Sequence, residues 1–407
     1  MCLRCRGVKL LCELTYCPLL ITTKVSLNLS KISKGLSNAL IKGSTPPSVY
    51  ISWRGYPKVL AAIAVPPTHG DTSHFELSEG WIKLKLEEIT AMRLSLIRAA
   101  SYVYVNNLNL KFIELLRDIA LSERSVDTSV EFLKPPKREI LFDPYVPPMG
   151  PLGIAKQINS GNTYFGRHVE KVFNDTDLKA RDAIVYLYRS SIPVSRISRV
   201  LSVGALGLGK YRRLVPTRWA ITATDKIISD YLLSKIKMYD SLSEVQVFTK
   251  KLHRNLFMAI LIPSNTWMFE WLEAWFPNTT WNRWSSNVVI EGDYEGPKGR
   301  ESYPEIGGCY YASRLALTEY LERIKRKCAA VLIREVYSGF NINIGVWFVR
   351  EGVRELLRSK PLKLSDANEV CKLLNKITEL GCSTWVNNSI ILSKYLKYHK
   401  LDRWSTH

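Results

Sequence analysis

The chain has 407 residues, with 57 Lys+Arg against 37 Asp+Glu and a formal charge of +20. Apolar content of 46% and charged content of 23% exclude a disordered or fibrous chain, and the length suits two or three domains with real cores. No apolar run approaches the roughly 18–20 residues of a membrane helix, and the N-terminus does not read as a signal peptide, so a cytoplasmic, nucleoid-associated protein with no membrane partner is expected.

The chain opens on CLRCRGVKLLCELTYC, which places Cys2, Cys5, Cys12 and Cys17 in a C-x2-C-x6-C-x4-C pattern. In a cytosolic protein so close a quartet points to a metal site, not a disulfide framework. Four thiolates close a tetrahedral shell around a structural zinc ion, and an iron–sulfur cluster accepts the same donors. So short a segment has almost no core, so the metal would supply most of its folding free energy. Cys309, Cys328, Cys371 and Cys382 stand singly and are expected to be small buried hydrophobes.

A polar, basic stretch then leads to the break GSTPPS. Val49 to Trp53 and Val59 to Val65 read as short strands around the turn Arg54-Gly55-Tyr56-Pro57. Apolar spacing at Ile82, Leu86, Ile89 and Met92 predicts a helix from Trp81 through Arg98, and Lys134 to Gly153 is a Pro-rich arm. Helices are expected at Asp175 to Arg189, with early acids suiting the helix dipole, and at Ala220 to Met238. Strands are expected within Val245 to Ile262. Trp267, Trp271 and Trp275 step by four, which predicts one face of a helix ending at Pro277. A helix at Tyr310 to Lys327, a strand at Ala330 to Arg334 and further helices to Leu396 complete the chain. Helices and strands without regular alternation argue an α+β fold class. The expected organisation is a four-cysteine segment over 1–20, a larger α+β domain over 21–285, a smaller α+β domain over 286–390 and a basic tail over 391–407.

The positive charge is concentrated. Residues 1–58 carry nine basic side chains and one acid, and residues 189–218 carry seven basic side chains and no acid. Such blocks suit a surface that tracks phosphates, so DNA is the expected partner and Arg196, Arg199, Lys210, Arg212, Arg213 and Arg218 the expected contacts. Gly204 to Tyr211 matches a phosphate-loop skeleton, but Tyr211 stands where a Ser or Thr must hold magnesium, and the preceding VSRISRVLSV has helical spacing. The same region has the rhythm of a helix–turn–helix, with Arg196 and Arg199 facing outward. Acids at Asp175, Asp177, Asp225, Glu270, Glu273, Glu291 and Asp293 leave a metal-dependent nuclease open, since such a site needs several converging carboxylates.

In order along about residues 1–355, MCLRCRGVKLLC, GYPKV, HGDTS, DTDLKARDAI, LSVGALG, RRLVPTRWAIT, FEWLEAW, GGCYYASRLALTEYL and GVWFVREGVR resemble the archaeal Nre DNA-repair family. RRLVPTRWAIT, Arg212 to Thr222, is the most specific of these strings. The resemblance implies a role in repair of damaged DNA and a zinc-finger-like segment that Cys2, Cys5, Cys12 and Cys17 match one for one. It leaves the chemistry open. The family's C-terminal peptide for the replication sliding clamp, roughly Q-x-x-L-x-x-F-F, is met in part, by Tyr398, Leu401 and Trp404. Tyr398 replaces the glutamine and Ser405 the last aromatic, and Ala61 to Val65 lacks a glycine–proline pair expected before the prolines.

Overall fold

The computed structural model describes residues 2–6, 11, 12, 17, 39–137 and 139–401, the last five by backbone alone. Trp404 therefore lies outside the described residues, as do the side chains of Tyr398 and Leu401. The chain forms two compact units, Lys24–Ile228 with Asn343–Trp347, and Met1–Thr23 with Ser229–Ile342 and Phe348–His407. Each holds one six-stranded mixed sheet in an α+β arrangement. The chain passes from one unit to the other within the Thr217–Ile236 helix, and position 285 falls between the third and fourth strands, in chain order, of the second sheet.

In the 24–228 unit the strands are β1 (Leu40–Thr45), β2 (Tyr50–Ile51), β3 (Lys58–Val65), β4 (Ile97–Tyr104), β5 (Val126–Phe132) and β6 (Leu152–Ser160), ordered β1-β5-β6-β4-β3-β2. All neighbours are antiparallel except β4 and β6. The continuous apolar run of β3 is buried, as a central strand requires, and the Lys111–Leu121 helix buries Ile113, Leu116 and Ile119 at helical spacing. The helix expected from Trp81 to Arg98 is instead a 3-10 turn (Ser78–Lys83), a helix (Leu86–Leu94) and then β4, whose β-branched and aromatic residues favour a strand. Asp175 ends the Arg167–Asn174 helix, and the next helix begins at Ala180; the Asp175 carboxylate accepts from the Asp177 and Leu178 N–H groups in a turn.

In the other unit β7 (Val245–Leu252), β8 (Asn255–Ile262), β9 (Met268–Trp275), β10 (Val289–Glu295), β11 (Ala329–Val336) and β12 (Leu362–Leu364) lie in the order β10-β9-β11-β8-β7-β12. Only β9 and β11 are parallel. The tryptophan stripe is a strand and not a helix. A step of four satisfies the strand period of two as well as the helical 3.6, and in β9 it sets Trp271 and Trp275 on one face with Phe269 and Glu273. The opposite face, with Leu272, joins Met258, Ile260, Val331 and Ile333 in an apolar core closed by Leu374, Trp385 and Leu392 of the C-terminal helices. Cys371 and Cys382, expected as separate thiols, form a disulfide between two of those helices, while Cys309 and Cys328 are free and buried.

Glu273 is sealed from solvent on the aromatic face. Arg6 Nη2 donates to it at 2.6 Å, Arg334 Nη1 at 3.3 Å, Trp275 Nε1 at 3.0 Å and Trp271 Nε1 at 3.2 Å. Burial pushes its pKa up, but Arg6 and then Arg334 outweigh that and hold the carboxyl at about 2. This lies below its ordinary value of 4.5, so the group's stabilisation is complete above about pH 4.5 and is lost as pH falls toward 2. Calorimetric melting temperatures measured across that window should fall steeply in the parent protein. Glu273→Gln should flatten the fall and cost about 3 kcal/mol at neutral pH, since it leaves two buried guanidinium groups without their anion. An unchanged acid profile in the variant would contradict the assignment.

Candidate nucleic-acid interface

The six expected DNA contacts fall into two groups. Arg196, Arg199 and Arg212 are engaged inside the fold. Arg196 donates to Glu123 at 2.9 Å and to the Leu121 carbonyl. Arg199, expected to face outward, is buried; its guanidinium donates to the Glu76 carbonyl at 2.6 Å, and burial lowers its pKa against the pull of Glu76 and Glu79. The reason is the helix that carries it. Val194–Ser202 buries Val194, Ile197, Val200 and Leu201, leaving no broad face for a DNA groove. Loop and 3-10 turn follow until Thr217, so the reading helix of a helix–turn–helix is not there. Arg212 donates to the carbonyls of Val172, Phe173, Asp175 and Gly207, closing the end of the Arg167–Asn174 helix. Gly204, with φ +71°, lets the loop turn where a Cβ would stand 2.7 Å from the Arg213 carbonyl oxygen.

Lys210, Arg213 and Arg218 form the second group. Lys210 and Arg213 are exposed, with the Lys210 ammonium 5.0 Å from the Tyr211 ring. Arg218 sits in the first turn of the 20-residue Thr217–Ile236 helix and is only 7% exposed. Its guanidinium packs between aromatic rings, 4.1 Å from Tyr145 and 5.2 Å from Trp53. Among the described residues it has no carboxylate and no hydrogen-bond acceptor. A cation so placed gains from both rings, and toward the described residues its hydrogen-bonding edge is unspent.

Around Arg218 the fold assembles residues that sequence reasoning did not single out. The Ile51 N–H donates to the Thr217 hydroxyl at 2.8 Å, tying β2 to the helix start. The hairpin after β2 then brings Tyr56 to Trp219, ring centroids 5.4 Å apart and both rings exposed. Val105 N–H donates to the Pro57 carbonyl, and Leu214 N–H donates to the Val105 carbonyl. These two bonds align the hairpin, the end of β4 and the loop carrying Arg213 along one edge. On β4, Tyr102 and Tyr104 point outward while Val103 and Val105 are buried, and Lys58, the register partner of Tyr104, lies over its ring. The alternation in SYVYV was the available signal: its tyrosines stand on the face opposite the valines.

Among the described residues, the acids that left a nuclease open form no group of three able to hold a metal ion. Glu270 accepts from the N–H groups of Ile390 and Ile391 at the start of the last helix. Asp293 pairs with Arg300 at 2.9 Å, Glu291 with Arg4 at 2.8 Å, and Asp175 closes its turn. At the N-terminus, burial raises the Cys2 thiol pKa, and the Cys17, Cys5 and Cys12 thiols add to the rise. The donor set suits zinc. Among the described residues, however, no three His, Cys, Asp or Glu side chains come close enough together to hold a metal ion. No helix among them is long and apolar enough to cross a membrane.

Comparison with known proteins finds family models on both parts of the chain. "Archaeal Nre, N-terminal" matches residues 11–282 and "Archaeal Nre, C-terminal" matches residues 295–404. The chain is 39% identical to the DNA repair protein NreB of Archaeoglobus fulgidus over 97% of each chain. It is 32% identical to the DNA repair protein NreA of the same organism, over 88% of this chain and 89% of that one. It is 31% identical to the DNA repair protein NreA of Haloferax volcanii, over 83% and 82%. No solved structure matches.

The two groups of arginines predict different mutant behaviour. Arg212→Ala strands four carbonyls and should cost about 2 kcal/mol of stability, whereas Arg213→Ala should stay within about 0.5 kcal/mol. Urea unfolding of the two variants distinguishes them; equal losses would contradict this division.

Proposed function

The chain belongs to the archaeal Nre family, and from that membership we propose that it is a DNA repair protein that binds DNA on the aromatic and cationic surface of its 24–228 unit. Arg218 carries the reading. A guanidinium packed on two rings, with no anion among the described residues, is completed by an external one, and a backbone phosphate presents oxygens matched to its fork. Lys210, Arg213, Arg54 and Lys58 are exposed cations able to follow neighbouring phosphates, each contact releasing counterions. Arg196, Arg199 and Arg212 take the supporting part of holding the helices and loop beneath. Two further elements complete the proposal. Cys2, Cys5, Cys12 and Cys17 hold a structural zinc ion, and the tail with Tyr398, Leu401 and Trp404 binds the replication sliding clamp.

Binding of fluorescent duplex DNA, titrated across a salt series, tests the surface. The Lys210→Ala/Arg213→Ala pair should weaken binding and flatten the salt slope by about 0.9 per lost phosphate contact, and Arg218→Ala should weaken it further. Unaltered affinity and slope in all three substitutions would remove this surface from DNA binding. Elemental analysis of the purified protein should find about one zinc per chain. A Cys2→Ser/Cys5→Ser variant should lose it, and a parent protein without zinc would overturn the metal site. Deleting Tyr398 to His407 should lower affinity for the clamp; equal affinity would dismiss the tail.

A further inference from the structure

We infer that the surface around Arg218 takes an unpaired strand, with bases stacked on its exposed rings. The inference rests on the DNA-binding reading and narrows it to a substrate class. Five aromatic side chains are exposed here: Tyr56, Tyr102, Tyr104, Tyr211 and Trp219, from 41% for Tyr56 to 64% for Tyr102. Exposed tyrosine or tryptophan singly on a surface needs no account. These five are set on a strand, a hairpin, a turn and a helix start joined by the Pro57–Val105–Leu214 backbone bonds, so their positions are held by the fold.

Duplex DNA hides its π-faces inside the stack. It offers protein phosphates and groove edges, which are read by a helix or by long polar side chains. In the helix pair that has the rhythm of a groove reader, the Val194–Ser202 helix is mostly buried, and no reading helix follows it before Thr217. An unpaired strand offers the opposite combination, free π-faces with a flexible line of phosphates, and proteins meet it with aromatic platforms beside cations. Tyr102 and Tyr104 share one face of β4, about 7 Å apart along the strand, so each can receive its own base. Beside them Lys58 lies 5.9 Å from the Tyr104 ring, and Lys210 lies 5.0 Å from Tyr211. The tilted Tyr56–Trp219 pair makes a second platform next to Arg218, the phosphate-binding cation of the same helix turn.

The test uses the full chain and fluorescein-labelled oligonucleotides of equal length: oligo(dT), a mixed-sequence duplex and oligo(rU), followed by anisotropy. The parent protein should bind oligo(dT) more tightly than the duplex. Trp219→Ala and Tyr104→Ala should each weaken oligo(dT) binding about five- to hundredfold while changing duplex binding less than twofold. Trp219→Phe, which keeps a ring, should retain most of the affinity, and a melting temperature equal to the parent's excludes unfolding as the cause. Equal affinity for duplex and single strand, or unchanged oligo(dT) binding in both alanine variants, would overturn the stacking inference and leave the DNA-binding reading standing. Failure to bind any of the three would overturn that reading itself. Tighter binding of oligo(rU) than of oligo(dT) would overturn DNA as the source of the strand.

Discussion

A carboxylate shut away from water has to be met by cations or donors, and the second sheet is arranged around four of them. Glu273 takes Arg6, Arg334 and two indole N–H groups. Glu295 takes Arg314, the Trp267 indole and the Tyr310 hydroxyl. Glu335 accepts from the Glu379 and Leu380 N–H groups and the Trp385 indole, and Glu270 holds the N-terminus of the last helix. Each unmet carboxylate would cost several kcal/mol, so each one dictates where a distant part of the chain must lie. Arg6 and Glu273 are 267 residues apart, and their contact anchors the cysteine-bearing start of the chain on this sheet. Two of the acids that left a nuclease open, Glu270 and Glu273, are thus engaged within this unit.

The same rule, turned around, picks out the surface on the other unit. Arg199, buried, and Arg212, half-buried, donate to carbonyl oxygens, and Arg196 meets Glu123. Arg218 alone of the six expected arginine and lysine contacts is both enclosed and left with aromatic rings for company. Rings stabilise the cation without using its N–H groups, so the side chain is held in one orientation before any ligand arrives. The stretch around residues 189–218 is therefore not a uniform basic face. Half of it is scaffold, and the remainder is a small set of cations spaced among exposed tyrosines and a tryptophan.

Strand and helix content was readable from local pattern where only one period fitted. The continuous apolar runs of β3, β8 and β11 and the Thr217–Ile236 helix lie close to where their residues put them. Reading failed where two periods fitted. The Trp267, Trp271 and Trp275 step suits helix and strand alike, and only pairing with β10 and β11 decides between them. It failed again where a charged residue sits on a short helix with two packed faces. Ile197 and Arg199 of the Val194–Ser202 helix are both buried, which no single amphipathic stripe predicts. The proposed interface is legible in the sequence only in part: Lys210, Arg213 and Arg218 belong to the charge block, while Tyr56, Tyr102, Tyr104 and Trp219 belong to separate segments.

By itself the sequence determined the α+β class, the concentration of positive charge, the cysteine quartet and the ordered strings shared with the family. These are local properties of composition and spacing, and they survive in any arrangement of the chain. Which basic residues remain free, which acids are spent on the fold and which aromatics stay in solvent were decided only by the tertiary structure. Burial and pairing depend on partners tens to hundreds of residues away. For Arg199 that partner is the Glu76 carbonyl, 123 residues upstream. For Arg218, the partners among the described residues are the rings of Tyr145 and Trp53, 73 and 165 residues upstream.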